Sequence, residues 1–286
     1  MTTAQDMTTA LGGEWRGLHG LAPCPVCQIE RRADQRALSL RDEGGRLLAH
    51  CHKRGCDFAE IMRAAGLSPD HAASDPCAQR ESDIKRAEYE AAQLYRARAL
   101  WGRALPIIGT KGEAYLRGRG ITCALPPSLR WASDVYHAPS GRWLCAIVAE
   151  VSTGAVHRTF FERSGERITS NAKMMQGSCA GGAVTLCEAE GPLVVCEGIE
   201  TGLSLCSGLL SGPATVWAAL SAPGMKALNL PERAGKLIVA TDGDAAGEDA
   251  GRVLASIAHA RGWKVSILPA PIGRDWNDIL RGRSAA

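Results

Sequence analysis

No Gly-x-x-x-x-Gly-Lys-[Ser/Thr] loop occurs anywhere in the 286 residues. That loop cradles nucleotide phosphates in one large class of ATP-driven motors, so no fused motor of that class is expected. Charge of one sign is also missing. The 33 Lys and Arg stand against 30 Asp and Glu, a formal net charge of +3. This falls short of the pI above about 9 that would by itself point to nucleic acid, so such a reading has to come from motifs. No secretory leader is expected, because Met1–Ala10 has neither a basic start nor an apolar run. The longest uncharged stretch, Thr201–Met225, is broken by Gly208, Gly212, Pro213 and Pro223. A membrane helix of about 20 apolar residues does not look like this, so a buried helix, a turn and a buried strand are expected, with no membrane partner.

What is present is a hydrophobic fraction of 45%, ordinary for a globular chain, and enough length for more than one domain. The 11 cysteines are odd in number and unevenly spaced. Cys145, Cys187, Cys196 and Cys206 lie in apolar contexts, where cysteine behaves as a small buried hydrophobe, and a reducing cytoplasm is the expected compartment.

The chain divides by composition into four stretches. Residues 1–67 carry paired cysteines and end in an apolar helix near Phe58–Ala65. Residues 68–127 hold a Pro-, Ser- and Asp-rich linker, Ser68–Glu81, and a helical connector. Ser82 is expected to cap a helix running to about Leu105, and the capping-box spacing of Thr110 and Glu113 starts a second that stops near Gly118 or Gly120. Residues 128–189 read as strand-rich, with Trp143–Val151 and Ala155–Phe161 joined by a turn. Residues 190–286 alternate strands (Leu193–Cys196, Thr215–Ala219, Leu237–Thr241, Val265–Leu268) with helices (Glu200–Leu210, Met225–Leu228, Ala246–Arg261). That rhythm specifies a parallel sheet with helices on its faces.

Cys24-Pro-Val-Cys27 and the wider pair Cys51 and Cys56 are spaced as zinc ligands. Each close pair offers two thiolates from one tight turn, and the intervening chain brings the turns together. Redox pairs or reduced buried thiols are the bland alternative. The width of the second pair leaves His50 or His52 open as a replacement for one cysteine. Arg31, Arg32, Lys53 and Arg54 beside the knuckles either meet phosphates or are solvated surface charge.

The densest signal follows two buried strands. Glu197-Gly198 comes directly after Leu193–Cys196, and Asp242-Gly243-Asp244-Ala245-Ala246-Gly247 after Leu237–Thr241. Ligands of open α/β sheets bind beyond the carboxyl ends of the strands, so Glu197, Asp242 and Asp244 should converge there. Three close carboxylates repel one another unless a hard cation intervenes, and Mg²⁺ takes carboxylates together with phosphate oxygens. A pair of such ions suits nucleotidyl transfer. An isolated Asp-Gly-Asp would be a surface turn; its place after a buried strand argues otherwise.

These residues resemble the Toprim signature of DnaG-type primases, topoisomerases and some nucleases, with the Asp-Gly-Asp-x-Ala-Gly form most similar to the primases. The layout, including Glu197–Ser204, is similar to Toprim primase-like proteins of phages, plasmids and mobile elements. The resemblance implies an α+β chain: a small zinc-ribbon-like N-terminal domain and an α/β Toprim catalytic domain with a Rossmann-like parallel sheet. It implies a DNA primase that makes short RNA primers on single-stranded DNA. Zn²⁺ would be structural at Cys24, Cys27, Cys51 and Cys56, and Mg²⁺ or Mn²⁺ catalytic at Glu197, Asp242 and Asp244. Arg142, Arg158 and Lys173 match the family's basic face for template and incoming nucleoside triphosphate, and a separate replicative helicase is the implied partner. Gly273–Asp278 resembles a later acidic motif of primases, but Arg274 stands where a Lys is usual and Asn277 where a second acid is, which leaves Asp275 and Asp278 open as metal ligands. Two other readings stay alongside: a Toprim nuclease, and a catalytically inactive DNA-binding replication accessory protein. A topoisomerase would need a nucleophilic tyrosine, and Tyr89, Tyr95, Tyr115 and Tyr136 all precede the Toprim segment without a supporting motif.

Overall fold

The computed structural model describes residues 3–30, 32, 35–43, 46–67 and 76–284. Arg31 and residues 68–75 of the expected linker lie outside the described residues. The chain separates into two compact units, residues 1–92 and 93–286.

In the first unit, helix α1 (Ala4–Ala10) is started by a capping box between Thr3 and Asp6. Strands β1 (Glu14–Trp15), β2 (Gly20–Ala22), β3 (Leu38–Glu43) and β4 (Arg46–Cys51) form an antiparallel sheet in that order, and α2 (Phe58–Ala64) is capped by Asp57. The small core joins Met7, Leu11, Leu38, Leu40, Ile61 and Met62 to the buried faces of Cys24 and Cys51. Helix α3 spans Pro76–Arg103, and the division between the units falls within it. It begins six residues ahead of the expected cap, so Ser82 is an interior residue and Pro76–Glu81 is helix rather than linker. Proline suits a first helical position, where its missing N–H would have no partner anyway.

The second unit holds two five-stranded sheets. The first is an antiparallel meander of β5 (Leu105–Pro106), β6 (Leu129–His137), β7 (Arg142–Glu150), β8 (Val156–Phe161) and β9 (Lys173–Gln176). Helix α4 (Lys111–Gly118) enters it, capped by Thr110. The partner of Glu113 is the Gly109 N–H at 2.7 Å, one residue ahead of the expected capping-box contact.

The second sheet is built from β10 (Val184–Cys187), β11 (Leu193–Cys196), β12 (Thr215–Ala218), β13 (Lys236–Thr241) and β14 (Lys264–Pro269). Its order is β10-β12-β11-β13-β14, parallel throughout except for β10. Helices α5 (Ile199–Ser204), α6 (Ala222–Lys226), α7 (Ala245–Ala260) and α8 (Trp276–Ser284) complete it. Strand alternation sends Val194 and Cys196 into a core shared with the meander, and Leu193 and Val195 into one shared with α6 and α7. Both faces being covered explains why β11 and β13 read as unbroken apolar runs. The uncharged stretch Thr201–Met225 is α5, a π-helical turn at Leu205–Leu209, β12 and most of α6. Among the described residues no helix is long and apolar enough to cross a membrane.

Candidate active site and metal centre

Strands β11 and β13 are parallel neighbours, with Cys196 opposite Ala240. Glu197 and Asp242 therefore leave the same edge of the sheet on adjacent strands. Asp244 follows one residue after a tight turn and caps α7, its carboxylate accepting the Gly247 N–H at 2.7 Å. The glycine at 243 is required by packing: a Cβ there would lie 2.0 Å from the Pro271 carbonyl oxygen.

The carboxylates feel one another. Burial first, then Glu197, Asp275 and Asp244, push the Asp242 carboxyl up to about 6, against a hydrogen bond from the Thr201 hydroxyl at 3.3 Å. Burial and Asp244 raise Glu197, while the Ala222 N–H and Lys173 oppose the shift. The Glu197 carbonyl is held by the Leu220 N–H at 2.7 Å, and Leu220 sits at φ +72°, a left-handed conformation that costs a bulky residue about 1–3 kcal/mol. Unrelieved negative charge beside oxygen donors is a fit for a hard cation such as Mg²⁺, which keeps several positions for water and phosphate.

The segment after β14 is laced onto this turn. The Gly243 N–H donates to the Arg274 carbonyl, the Gly273 N–H to the Gly243 carbonyl, and the Trp276 indole N–H to the Thr241 carbonyl. Asp275 caps α8, accepting the Asp278 N–H at 2.8 Å, and its charge reaches Asp242. Of the two acids left open by the sequence, Asp275 is the one that acts on the cluster. Asn277 is 0% exposed; its amide donates to the Arg119 carbonyl and the Ser204 hydroxyl, both at 2.9 Å. It ties α8 to α5 and to the end of α4, and its amide oxygen has no hydrogen-bond partner.

The three basic positions part company. Lys173 opens β9 opposite Thr159 and lies close enough to Glu197 to lower its pKa. Arg158 does not reach the carboxylates. Along β8, Val156 and Phe160 face the core that includes Ala97 and Leu100 of α3, and Arg158 shares their side. It is 8% exposed, donates to the Met175 carbonyl at 3.0 Å, and lies over the Phe160 ring. Arg142 is engaged elsewhere too, in a two-pronged pair with Glu162 at 3.0 and 2.6 Å. His157, one residue before Arg158, lies on the opposite face of β8, and Glu200 accepts from the Tyr115 hydroxyl at 3.0 Å and pairs with Arg119 at 2.9 Å.

In the first unit, the sulfurs of Cys24, Cys27, Cys51 and Cys56 all lie within 4.8 Å of one another, and they are the one such ligand group found among the described residues. Burial would raise the Cys51 thiol, but N–H groups of Arg54, Cys56 and Lys53 and the Cys27 thiol bring it down to about 6. Cys27, its sulfur 3.5 Å away, is pushed up to about 12 by burial and by its cysteine neighbours. Four sulfurs gathered this closely are the donor set that a closed tetrahedral zinc site needs. His50 and His52 are outside it: they flank inward-pointing Cys51 on β4 and the residue after it, are exposed, and His52 sits 3.0 Å from the Ser39 hydroxyl. Lys53 and Arg54 are exposed, and Arg32 lies 3.5 Å from Glu30.

Residues 192–286 match the Toprim domain family, and residues 91–186 match a domain of unknown function, DUF7146. No curated protein matches the sequence. Among solved structures, the chain is similar to a DNA primase domain from Pseudomonas aeruginosa at 14% identity (TM-score 0.42; 66% of this chain, 74% of that one). It is similar to the zinc-binding and RNA polymerase domains of the Aquifex aeolicus primase at 13% identity (TM-score 0.41; 99% and 80%). It is also similar to the primase fragment of the bacteriophage T7 primase-helicase protein at 17% identity (TM-score 0.33; 93% and 96%).

Proposed function

We propose, from the premise that residues 192–286 are a Toprim domain, that this chain is a DNA primase. It would join ribonucleotides opposite a single-stranded DNA template: a 3′-hydroxyl attacks the α-phosphate of a nucleoside triphosphate, and pyrophosphate leaves. The observation that carries the reading is the pairing of Glu197 and Asp242 at one edge of adjacent parallel strands, with Asp244 and Lys173 beside them.

Glu197, Asp242 and Asp244 would hold Mg²⁺ or Mn²⁺, which when bound supplies positive charge to the attacking and leaving oxygens. Lys173 offsets phosphate charge on the meander side of the site. Glu197, its carboxyl raised by burial and by Asp244, is suited to accept the proton of the attacking hydroxyl. Asp275 adds charge at the rim. The four cysteines would hold a structural zinc, and the module they staple would grip the template. A separate helicase would expose the single strand.

The test incubates purified protein with single-stranded DNA, Mg²⁺ and labelled nucleotides. New oligonucleotides that disappear in Asp242→Asn support the proposal. Shortened input DNA would make the site a nuclease, and DNA binding without either product would make it an accessory protein.

A further inference from the structure

Three acids of the site share a constraint. Each has one carboxylate oxygen already engaged by a donor within the fold. Asp244 Oδ1 accepts the Gly247 N–H at 2.7 Å, Asp275 Oδ1 the Asp278 N–H at 2.8 Å, and Asp242 Oδ1 the Thr201 hydroxyl at 3.3 Å. The first two donors are main-chain groups in the opening turns of α7 and α8, which need an acceptor in any case. The third is a side chain from another element, and its bond to Asp242 caps no helix.

Thr201 is the third residue of α5 and is 4% exposed. Its helix is pinned on both sides of it. Glu200 is held by Tyr115 and Arg119, and the Ser204 hydroxyl accepts from the Asn277 amide. Because α5 follows directly on Glu197-Gly198, the hydroxyl joins the stretch that carries Glu197 to the turn that carries Asp242. A carboxylate with both oxygens free binds a cation through one or both. Ca²⁺ accepts either mode in loose shells of about 6–8 oxygens at about 2.3–2.6 Å. Mg²⁺ demands a near-ideal octahedron at about 2.0–2.1 Å and keeps several waters, which leaves little room for a two-oxygen bite.

We infer that Thr201 is a positioning residue: its hydroxyl holds one oxygen of Asp242 and leaves the other for the cation, so that the site favours Mg²⁺ or Mn²⁺ over Ca²⁺. The helix caps do the same for Asp244 and Asp275, but only the Thr201 tether can be removed without undoing a helix start. This rests on the proposed metal-dependent function and adds to it the residue that selects the ion.

The test measures Mn²⁺ binding to the full chain by electron paramagnetic resonance, alone and with Ca²⁺ as competitor, in the parent, Thr201→Val and Thr201→Ser. Valine keeps the shape and removes the donor; serine keeps the donor and removes a methyl group. Circular dichroism confirms the fold of each. The valine variant should bind Mn²⁺ several-fold to about tenfold more weakly, the loss expected when a partner that orients a metal ligand is removed. Ca²⁺ should compete several-fold better against Mn²⁺ in that variant than in the parent. Thr201→Ser should bring affinity and ion preference back toward the parent. Unchanged affinity and ion preference in the folded valine variant overturn the positioning role and leave the primase reading standing. A serine variant that fares worse than the valine one also overturns it, because that order marks packing rather than hydrogen bonding. A parent that binds no Mn²⁺ overturns the metal site and the primase reading with it.

Discussion

Replacing Asp242 by Asn removes a charge that the metal-free fold holds at a disadvantage. The Asp242 carboxyl is raised from 3.8 to about 6, chiefly by burial and then by Glu197. At about 1.4 kcal/mol per pKa unit this is a ceiling of about 3 kcal/mol. Asp242 is only half-buried, so water screens the interaction and ~1 kcal/mol is the expected gain. The sign follows from linkage. A carboxyl whose folded pKa lies above its unfolded value destabilises the fold once ionised, so the penalty is absent below pH 3.8, grows between 3.8 and about 6, and is complete above that. The Asp242→Asn variant should therefore be more stable than the parent in divalent-free buffer near neutral pH, with the advantage shrinking on acidification. Added Mg²⁺ should reverse the order, because a ligand that binds only the native state stabilises by mass action and the variant has lost one of the groups that hold it. Urea unfolding followed by tryptophan fluorescence reads this, since six of the seven tryptophans lie in residues 93–286. Equal stabilisation of both proteins by Mg²⁺, or no gain in the variant without it, would refute the metal-site reasoning.

Three further outcomes are expected. Protein purified without added metal should carry one zinc per chain by elemental analysis, and Cys24→Ser should lose it along with the hydrogen-exchange protection of β3 and β4; full protection in zinc-free protein would sink the site. Asn277→Asp should destabilise residues 93–286 by roughly 2–4 kcal/mol at neutral pH and by less in acid, because an ionised carboxylate would be buried facing the Arg119 carbonyl; denaturation at two pH values checks the direction. Lys173→Gln should weaken nucleoside triphosphate binding several-fold while Arg142→Gln leaves it unchanged, and the reverse order in a binding titration would restore Arg142 to the site.

The parallel sheet was legible because both its faces are covered, which turns Leu193–Cys196 and Leu237–Thr241 into apolar runs that stand out from their flanks. The acids that follow them could be placed from chain direction alone. Strand β6 escapes such a reading for the converse reason: its register shifts between Ala132 and Val135, so the period-two alternation is broken midway. The basic residues show a different limit. Arg158 and His157 are adjacent in sequence, and which one shares the face of Lys173 depends on the pairing of β8 with β9, which no local pattern states. Likewise, the start of α3 is hidden because Pro76 looks like linker until the helix behind it is seen.

The bonds from Gly243 and Thr241 to residues 273–276 give the acidic turn and the C-terminal helix a common lifetime. The turn cannot swing away from the sheet without releasing Trp276 and the Arg274 carbonyl, and that release disturbs Asn277 and its hold on α5 and α4. A protease cut between Pro269 and Gly273 would therefore leave Glu197, Asp242 and Asp244 on one fragment but set Asp242 and Asp244 adrift from their brace. The acidic edge of the sheet is in this sense stitched from two distant stretches of chain, and its stiffness belongs to the seam rather than to either side.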